Sequence, residues 1–434
     1  MTLQVAGALC TSVSIDTRTL APGALFAALR GPNHDAHDHI AEAFAKGAAA
    51  AVVERETPGA GPQLVTPDVL EWLQQTARAQ RERWGGRIVG ITGSAGKTTT
   101  KDACAAVLAH SFRTGKTAGN YNNHYGVPLT LLNLADDAEV GVVELGMNHA
   151  GEIRDLARIA RPDIGIVTNV GSAHIEHLGS MDAIALAKRE LIESLPPDGT
   201  AILNADDARV REFAAVHPGP TIFYGFSEAA HVRAERVQYD SAGSNFEVAD
   251  VGSFFCPLPA KGGVMAALAA LAVAKTLGMD LKELRDTIAS LVPPKNRLSR
   301  IERDGMVIWD DCYNSNPEAA MMMLDLLAAT PARRRIAVLG EMLELGTWSA
   351  DLHREVGRYA ARCGMSVVIG IHGAAELITE AARQEGLAAG DAHFFQQPAD
   401  AGRFAKSIAC AGDALLFKGS RGTRVEQALE AFLN

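Results

Sequence analysis

The 434-residue chain contains no Cys-x-x-Cys pair; its six cysteines, Cys10, Cys104, Cys256, Cys312, Cys363 and Cys410, lie far apart. That spacing excludes zinc-finger and dithiol redox chemistry and points to a reducing, cytoplasmic compartment. Long hydrophobic runs are also missing. The longest, Val264 to Ala274, is too short to span a bilayer and, being rich in alanine, predicts a buried helix. The apolar patch ending at Leu9-Cys10 has no basic residue ahead of it, and the first charge is Asp16, so no signal peptide is expected. Positive charge is short as well, with 41 Lys and Arg against 51 Asp and Glu, a net of −10. This balance excludes a nucleic-acid partner held on a broad basic surface, and anionic substrates must be drawn in by local cations. No internal repeat or low-complexity tail is present.

What is there is an ordinary globular composition, 47% hydrophobic and 21% charged, in a chain too long for one core. The pattern predicts an α/β protein of three domains. Gly47 to Val53 reads as a helix end leading into a strand, Val69 to Trp84 as a helix, and Gly85-Gly86 as a break, giving a small unit over residues 1–86. From 87 to 297, strands at 87–91, 140–144, 164–169, 200–204 and 220–224 alternate with helices at 98–110, 152–160, 181–195 and 206–216. That rhythm implies a parallel sheet. The Pro293–Arg297 stretch reads as a rigid connection. Beyond it, residues 298–434 predict a Rossmann-like unit, with strands at 306–310, 335–339, 366–370 and 413–417 and helices at 317–329, 349–362, 373–384 and 424–433.

The chemistry-bearing segment is Ile88-Val-Gly-Ile-Thr-Gly-Ser-Ala-Gly-Lys-Thr-Thr-Thr100. A β-branched run, a small-residue loop and a helix start place backbone N–H groups and a helix dipole at phosphate oxygens. Lys97 supplies a cation for the outer phosphates and Thr98 a hydroxyl for Mg²⁺. The pattern is the shorter T-G-x-x-G-K-T form, because Ile91 stands where the longer form has glycine. It predicts ATP or GTP binding. Glu144 ends the apolar strand Val142-Val-Glu; it either faces a magnesium ion or caps the helix beginning near Gly151. His174, in Thr168-Asn-Val-Gly-Ser-Ala-His174, lies just past another strand, with His177 close behind. Either histidine is a candidate, as is a structural role for both. Read alone, Lys188 in Ala-Lys-Arg-Glu190 is a solvated helix lysine. The amide-rich loops Asn120–Asn123 and Asn314–Asn316 either bind polar ligands or make turns.

Together, T-G-x-x-G-K-T, Glu144 in V-V-E-L-G and His174 in T-N-V-G-x-A-H resemble the ATP-dependent Mur ligases of bacterial cell-wall synthesis. The resemblance extends over the whole chain through Ser14-Ile-Asp-Thr-Arg18, Gly31 to His37, Asn120 to Leu132, Asp310 to Pro317, Leu339 to Gly346 and Lys418-Gly-Ser-Arg421. It implies a UDP-sugar-peptide domain, a central ATPase domain and a C-terminal Rossmann-like ligase domain. The implied reaction joins D-alanyl-D-alanine to UDP-N-acetylmuramoyl-tripeptide through an acyl phosphate, with ATP and Mg²⁺, in a cytoplasmic monomer. ATP would be held by Gly93, Ser94, Ala95, Gly96, Lys97, Thr98 and Thr99, with Arg297, Asp310 and Asn314 from the third domain. Magnesium would fall to Thr98, Glu144 and His174. Ser14, Asp16 and Arg18 would bind the UDP part, and Asn122 and Asn123 the sugar-peptide. Lys97, His174 and Lys188 would serve catalysis, Lys188 matching a lysine that some members carry as a carbamate. Cys312 stands where the family usually has serine, and Asn296 where glycine often precedes the arginine. The D-N-P-R segment of the diaminopimelate-adding sister enzyme is absent. That sister, folylpolyglutamate synthetase, and a nucleotide-switched binding protein are the competing readings.

Overall fold

The computed structural model describes residues 2–240, 242–293 and 297–434; Asn296 lies outside them. Three larger sheets organise the chain. In the first, the strands Ser12–Ser14, Ala24–Ala27, Ala50–Val53 and Gln63–Val65 pair in parallel in that order. The helix Val69–Trp84 follows. Asp68 starts it by accepting the Glu71 N–H at 2.9 Å, and Gly85, left-handed at φ 66°, ends it.

The second sheet has nine strands, and all five expected between 87 and 225 are among them. Arg87–Thr92 lies in the interior, flanked by Val140–Glu144 on one side and Ile164–Val167 on the other, all parallel. The chain leaves this strand in both directions across the sheet, so the loop after Thr92 opens at the switch point where α/β sheets bind ligands. The alanine-rich run forms the helix Ala260–Thr276 as expected; its face and that of Lys97–Leu108 share one buried apolar cluster. Four strands were not foreseen: Thr114–Lys116 adds a parallel strand at one edge, and Val232–Tyr239, Ser244–Val248 and Gly252–Cys256, the last two antiparallel, extend the other. Those at the second edge alternate buried and exposed residues, unlike the continuous apolar runs of the interior.

The third sheet runs Ser299–Arg303, Met306–Asp311, Asp413–Lys418, Arg334–Gly340, Val367–Ile371 and Ala392–Phe395. Only the first strand is antiparallel. That strand, Ala392–Phe395 and the helix Pro398–Ile408 are additions to the expected elements. Among the described residues no helix is long and apolar enough to cross a membrane.

Candidate active site

A cleft of about 720 Å³ lies between the carboxyl ends of the second and third sheets. Its floor is the loop Gly93–Gly96. Gly93 has φ 149°, and a Cβ there would lie 1.8 Å from Thr168 Oγ1, so only glycine fits. Gly96 turns left-handed at φ 79° to start the helix Lys97–Leu108. The loop is braced from the next strand: Asn169 Oδ1 accepts the Ala95 N–H at 2.8 Å, and Thr168 Oγ1 donates to Ala95 O at 2.7 Å. Ser94 Oγ donates to Gly171 O at 2.9 Å. Lys97 is half-buried, and its Nζ donates to Gly93 O at 2.6 Å. Burial pulls its proton affinity below the usual lysine range, and Arg297 adds to this while Glu144 opposes it. A helix N-terminus, Lys97 and Arg297 thus converge on one pocket, an arrangement that suits a polyphosphate.

Glu144 is 1% exposed. Thr98 Oγ1 donates to its Oε2 at 2.9 Å and Asn122 Nδ2 to its Oε1 at 2.8 Å. The capping alternative for Glu144 is overturned. The helix Glu152–Ala160 is instead capped by Glu190, whose carboxylate accepts the Gly151 and Arg154 N–H groups at 2.8 and 3.0 Å. A buried carboxylate with a hydroxyl beside it, both facing the cleft, offers the hard oxygen donors that magnesium prefers, so the Thr98–Glu144 pair fits that ion. His174 lines the same cleft from a left-handed backbone at φ 66°, with Nδ1 2.6 Å from Glu344 Oε2 but off the ideal hydrogen-bond line. Its imidazole is the first cause holding Glu344 below the usual carboxylate range.

The solvated reading of Lys188 is also overturned. The side chain is 1% exposed, and burial, then the charge of Lys97, drive its proton affinity far below that of a free lysine. The neighbouring Ala187, Leu191 and Ile192 are buried with it on one helix, so its place in a charged-looking tetrapeptide concealed an inward face.

The third sheet supplies the opposite wall. Arg297 stacks on Tyr313 with its guanidinium carbon 4.0 Å from the ring centre, and both line the cleft with Asn314. Lys418 Nζ ties this wall together, donating to Asp311 Oδ2 at 2.5 Å and Asn314 O at 3.0 Å. Asp310 does not reach the cleft lining; Asp311 does. Asp310 instead accepts the Cys312 N–H at 3.2 Å, and burial raises its proton affinity. Cys312 is buried and donates to Phe417 O at 3.5 Å. Asn316 adopts the turn role: it caps the helix Pro317–Ala329 through the Ala319 N–H at 2.8 Å. Glu318, unremarked in the sequence, receives both the N–H and the hydroxyl of Ser172, at 2.8 and 3.0 Å. No local signal marks it, because its partner is 146 positions away.

A second cleft of about 570 Å³ is lined by Asp16, Arg18, Phe26, His34 and His39 of the first unit and by Tyr121. Asp16 grips Arg18 through both oxygens, and this guanidinium is the main reason its carboxyl falls to about 2. Ser14 Oγ accepts the Asp16 N–H at 3.2 Å and so shapes the turn. Tyr121 faces this cleft, while Asn120, Asn122, Asn123 and His124 face the first, so one loop borders both.

Three family models tile the chain: "Mur ligase family, catalytic domain" over 10–81, "Mur ligase middle domain" over 91–274, and "Mur ligase, glutamate ligase domain" over 296–421. The chain is 39% identical to the UDP-N-acetylmuramoyl-tripeptide–D-alanyl-D-alanine ligase of Synechocystis, over 94% of this chain and 89% of that protein. It is 34% identical to the ligase of the same name from Bacillus subtilis, over 96% and 92%. Among solved structures, it is similar to MurF from Acinetobacter baumannii, with TM-score 0.87, 30% identity and coverage of 98% and 94%. The MurF ligase from Thermotoga maritima in complex with ADP is also similar, with TM-score 0.84, 30% identity and coverage of 97% and 96%.

Proposed function

This chain belongs to the Mur ligase family, and from that premise we propose that it joins D-alanyl-D-alanine to the terminal carboxylate of UDP-N-acetylmuramoyl-tripeptide. It is an ATP-dependent peptide ligase, and the product would be the UDP-N-acetylmuramoyl-pentapeptide, with ADP and phosphate. The observation that carries this reading is the shared loop Asn120–His124, which borders a phosphate-binding cleft on one side and the Asp16–Arg18 cleft on the other. A UDP-sugar held at the second cleft would send its peptide along that loop to the first.

A carboxylate resists attack by an amine because it is negatively charged and oxide is a poor leaving group. The site answers this by letting one carboxylate oxygen attack the γ-phosphorus of ATP, breaking the bond to ADP and leaving an acyl phosphate. Gly93 to Thr99 cradle the phosphates, Lys97 offsets the charge on the transferring group, and Arg297 and Asn314 hold ATP from the opposite wall. Asp310 acts through the Cys312–Asn314 turn that it braces. Thr98 and Glu144, with His174 beside them, would hold magnesium, which supplies charge neutralisation at the phosphates. The amine of the dipeptide then attacks the acyl carbon, and the tetrahedral intermediate expels phosphate as the amide forms. Asn122 and Asn123 orient the peptide, and Ser14, Asp16 and Arg18 the UDP end. Lys188, whose environment favours the neutral amine, is suited to adding CO₂ as a carbamate.

The test is mass detection of the pentapeptide from tripeptide, dipeptide and ATP, with single amino acids as competing amines. Pentapeptide from the dipeptide alone supports the reading; extension by a single diaminopimelate or glutamate contradicts it. Lys97→Ala should lower the rate by about 10²–10³-fold, the usual loss on removing one donor to developing charge. An undiminished rate would remove the role given to Lys97.

A further inference from the structure

The motif Leu339–Gly346 brings a carboxylate of the third unit, Glu344, against His174 of the central cleft. We propose that Glu344 is a positioning residue, reaching across from the third unit to fix the His174 imidazole and so completing the central site only when the two units are docked. The proposal rests on the ligase reading above.

The two loops meet along three positions. Nδ1 of His174 lies 2.6 Å from Glu344 Oε2. The Glu176 N–H donates to Glu344 O at 3.2 Å. Gly346, at φ 53°, packs so closely that a Cβ there would lie 3.0 Å from the Glu176 side chain. His174 and Glu344 both hold left-handed backbones, at φ 66° and 63°, a conformation that side-chain-bearing residues keep only where their surroundings impose it.

The loop that delivers Glu344 is stiff. The Met342 N–H donates to Nε2 of the fully buried His353 at 2.9 Å, and the Leu343 N–H to Ser420 Oγ at 2.9 Å. The Ser420 N–H returns to Glu341 O at 3.2 Å, and Ser420 Oγ also donates to Ser315 O at 3.2 Å. The Glu341 carboxylate accepts the Ala374 N–H at 3.0 Å. One hydroxyl therefore links the wall that carries Asn314 to the loop that carries Glu344. On the other side, His174 lines the cleft and has one nitrogen left for it once Nδ1 is engaged by the carboxylate. A carboxylate behind a histidine fixes its tautomer and ring orientation, leaving the Nε2 lone pair as the ligating group.

The test uses full-length protein labelled with ¹⁵N-histidine, in the wild type, Glu344→Gln and Glu344→Ala. NMR reads the His174 tautomer without substrate, and steady-state assays give kcat and the KM for ATP. In the wild type His174 should be held as the Nδ1–H form, and in Glu344→Ala it should relax toward the mixture of a free imidazole. Glu344→Ala should lower kcat by about tenfold or more with little change in KM, the usual loss for such a partner. Glu344→Gln, whose amide oxygen still accepts the proton, should recover part of both. An unchanged His174 tautomer in Glu344→Ala would overturn the proposal, as would a loss of rate that only follows a loss of thermal stability in both variants. A wild type that makes no pentapeptide would contradict the ligase reading instead, while the NMR comparison still decides the role of Glu344.

Discussion

At the scale of single residues, the loop Gly93–Gly96 holds its shape because of what its glycines permit. Gly93→Ala would bring a methyl group against Thr168 Oγ1, now bonded to Ala95 O, at a φ of 149°. Backbone strain alone is of order 1–3 kcal/mol, so ADP affinity measured by calorimetry should fall sharply. In a Thr168→Ala background the clash is relieved but the backbone strain is not, and only part of the affinity should return. Equal affinity in wild type and Gly93→Ala would contradict the geometry. Lys188 makes a different prediction. Its folded proton affinity lies well below the unfolded value of about 10.4. Between the two pKa values the unfolded chain binds more protons, so this residue makes stability rise with pH toward 10. Lys188→Met should therefore stabilise the fold most at the acid end, with the gain shrinking as pH rises. Urea midpoints at pH 6 and 9 check this, and an equal gain at both would refute it. The burial of Lys188 was not legible in its own tetrapeptide; only the apolar residues one turn away on the same helix could have signalled it.

At the scale of elements, the strands and helices that frame the site were readable because their signals are local. Apolar runs of four to six residues ending in small-residue loops marked Arg87–Thr92, Val140–Glu144 and Ile164–Val167. The edge strands from Val232 to Cys256 escaped notice because half of each faces outward and alternation over five to eight residues is easily confused with loop. Capping partners escaped for another reason: the carboxylate that starts the helix Glu152–Ala160 comes from Glu190, on the helix Met181–Glu193. Replacing it with alanine strands two N–H groups at a helix N-terminus and should destabilise the protein by about 1–2 kcal/mol. Chemical denaturation should show that loss, and ATP affinity should be unchanged. A drop in affinity without a loss of stability would place Glu190 in the site rather than beneath it.

At the scale of the whole molecule, three sheets are arranged so that two clefts share a loop and the third unit closes over the phosphate loop. Polar contacts join it to the central unit beside a shared apolar cluster: Glu318 on Ser172, Asn316 Nδ2 on Ser94 O at 3.5 Å, and Glu344 beside His174. Docking of this kind shields a reactive acyl phosphate from water until the amine arrives. None of these contacts is visible locally, since each joins residues more than a hundred positions apart, and a sequence motif does not say which distant residues touch. The decisive measurement follows the oxygen atoms. Tripeptide substrate carrying ¹⁸O in both oxygens of its terminal carboxylate is turned over with ATP and D-alanyl-D-alanine, and the products are weighed. An acyl phosphate route delivers one ¹⁸O to the released phosphate and leaves the other in the new amide. Phosphate free of ¹⁸O alongside normal pentapeptide would contradict carboxylate activation beside Lys97.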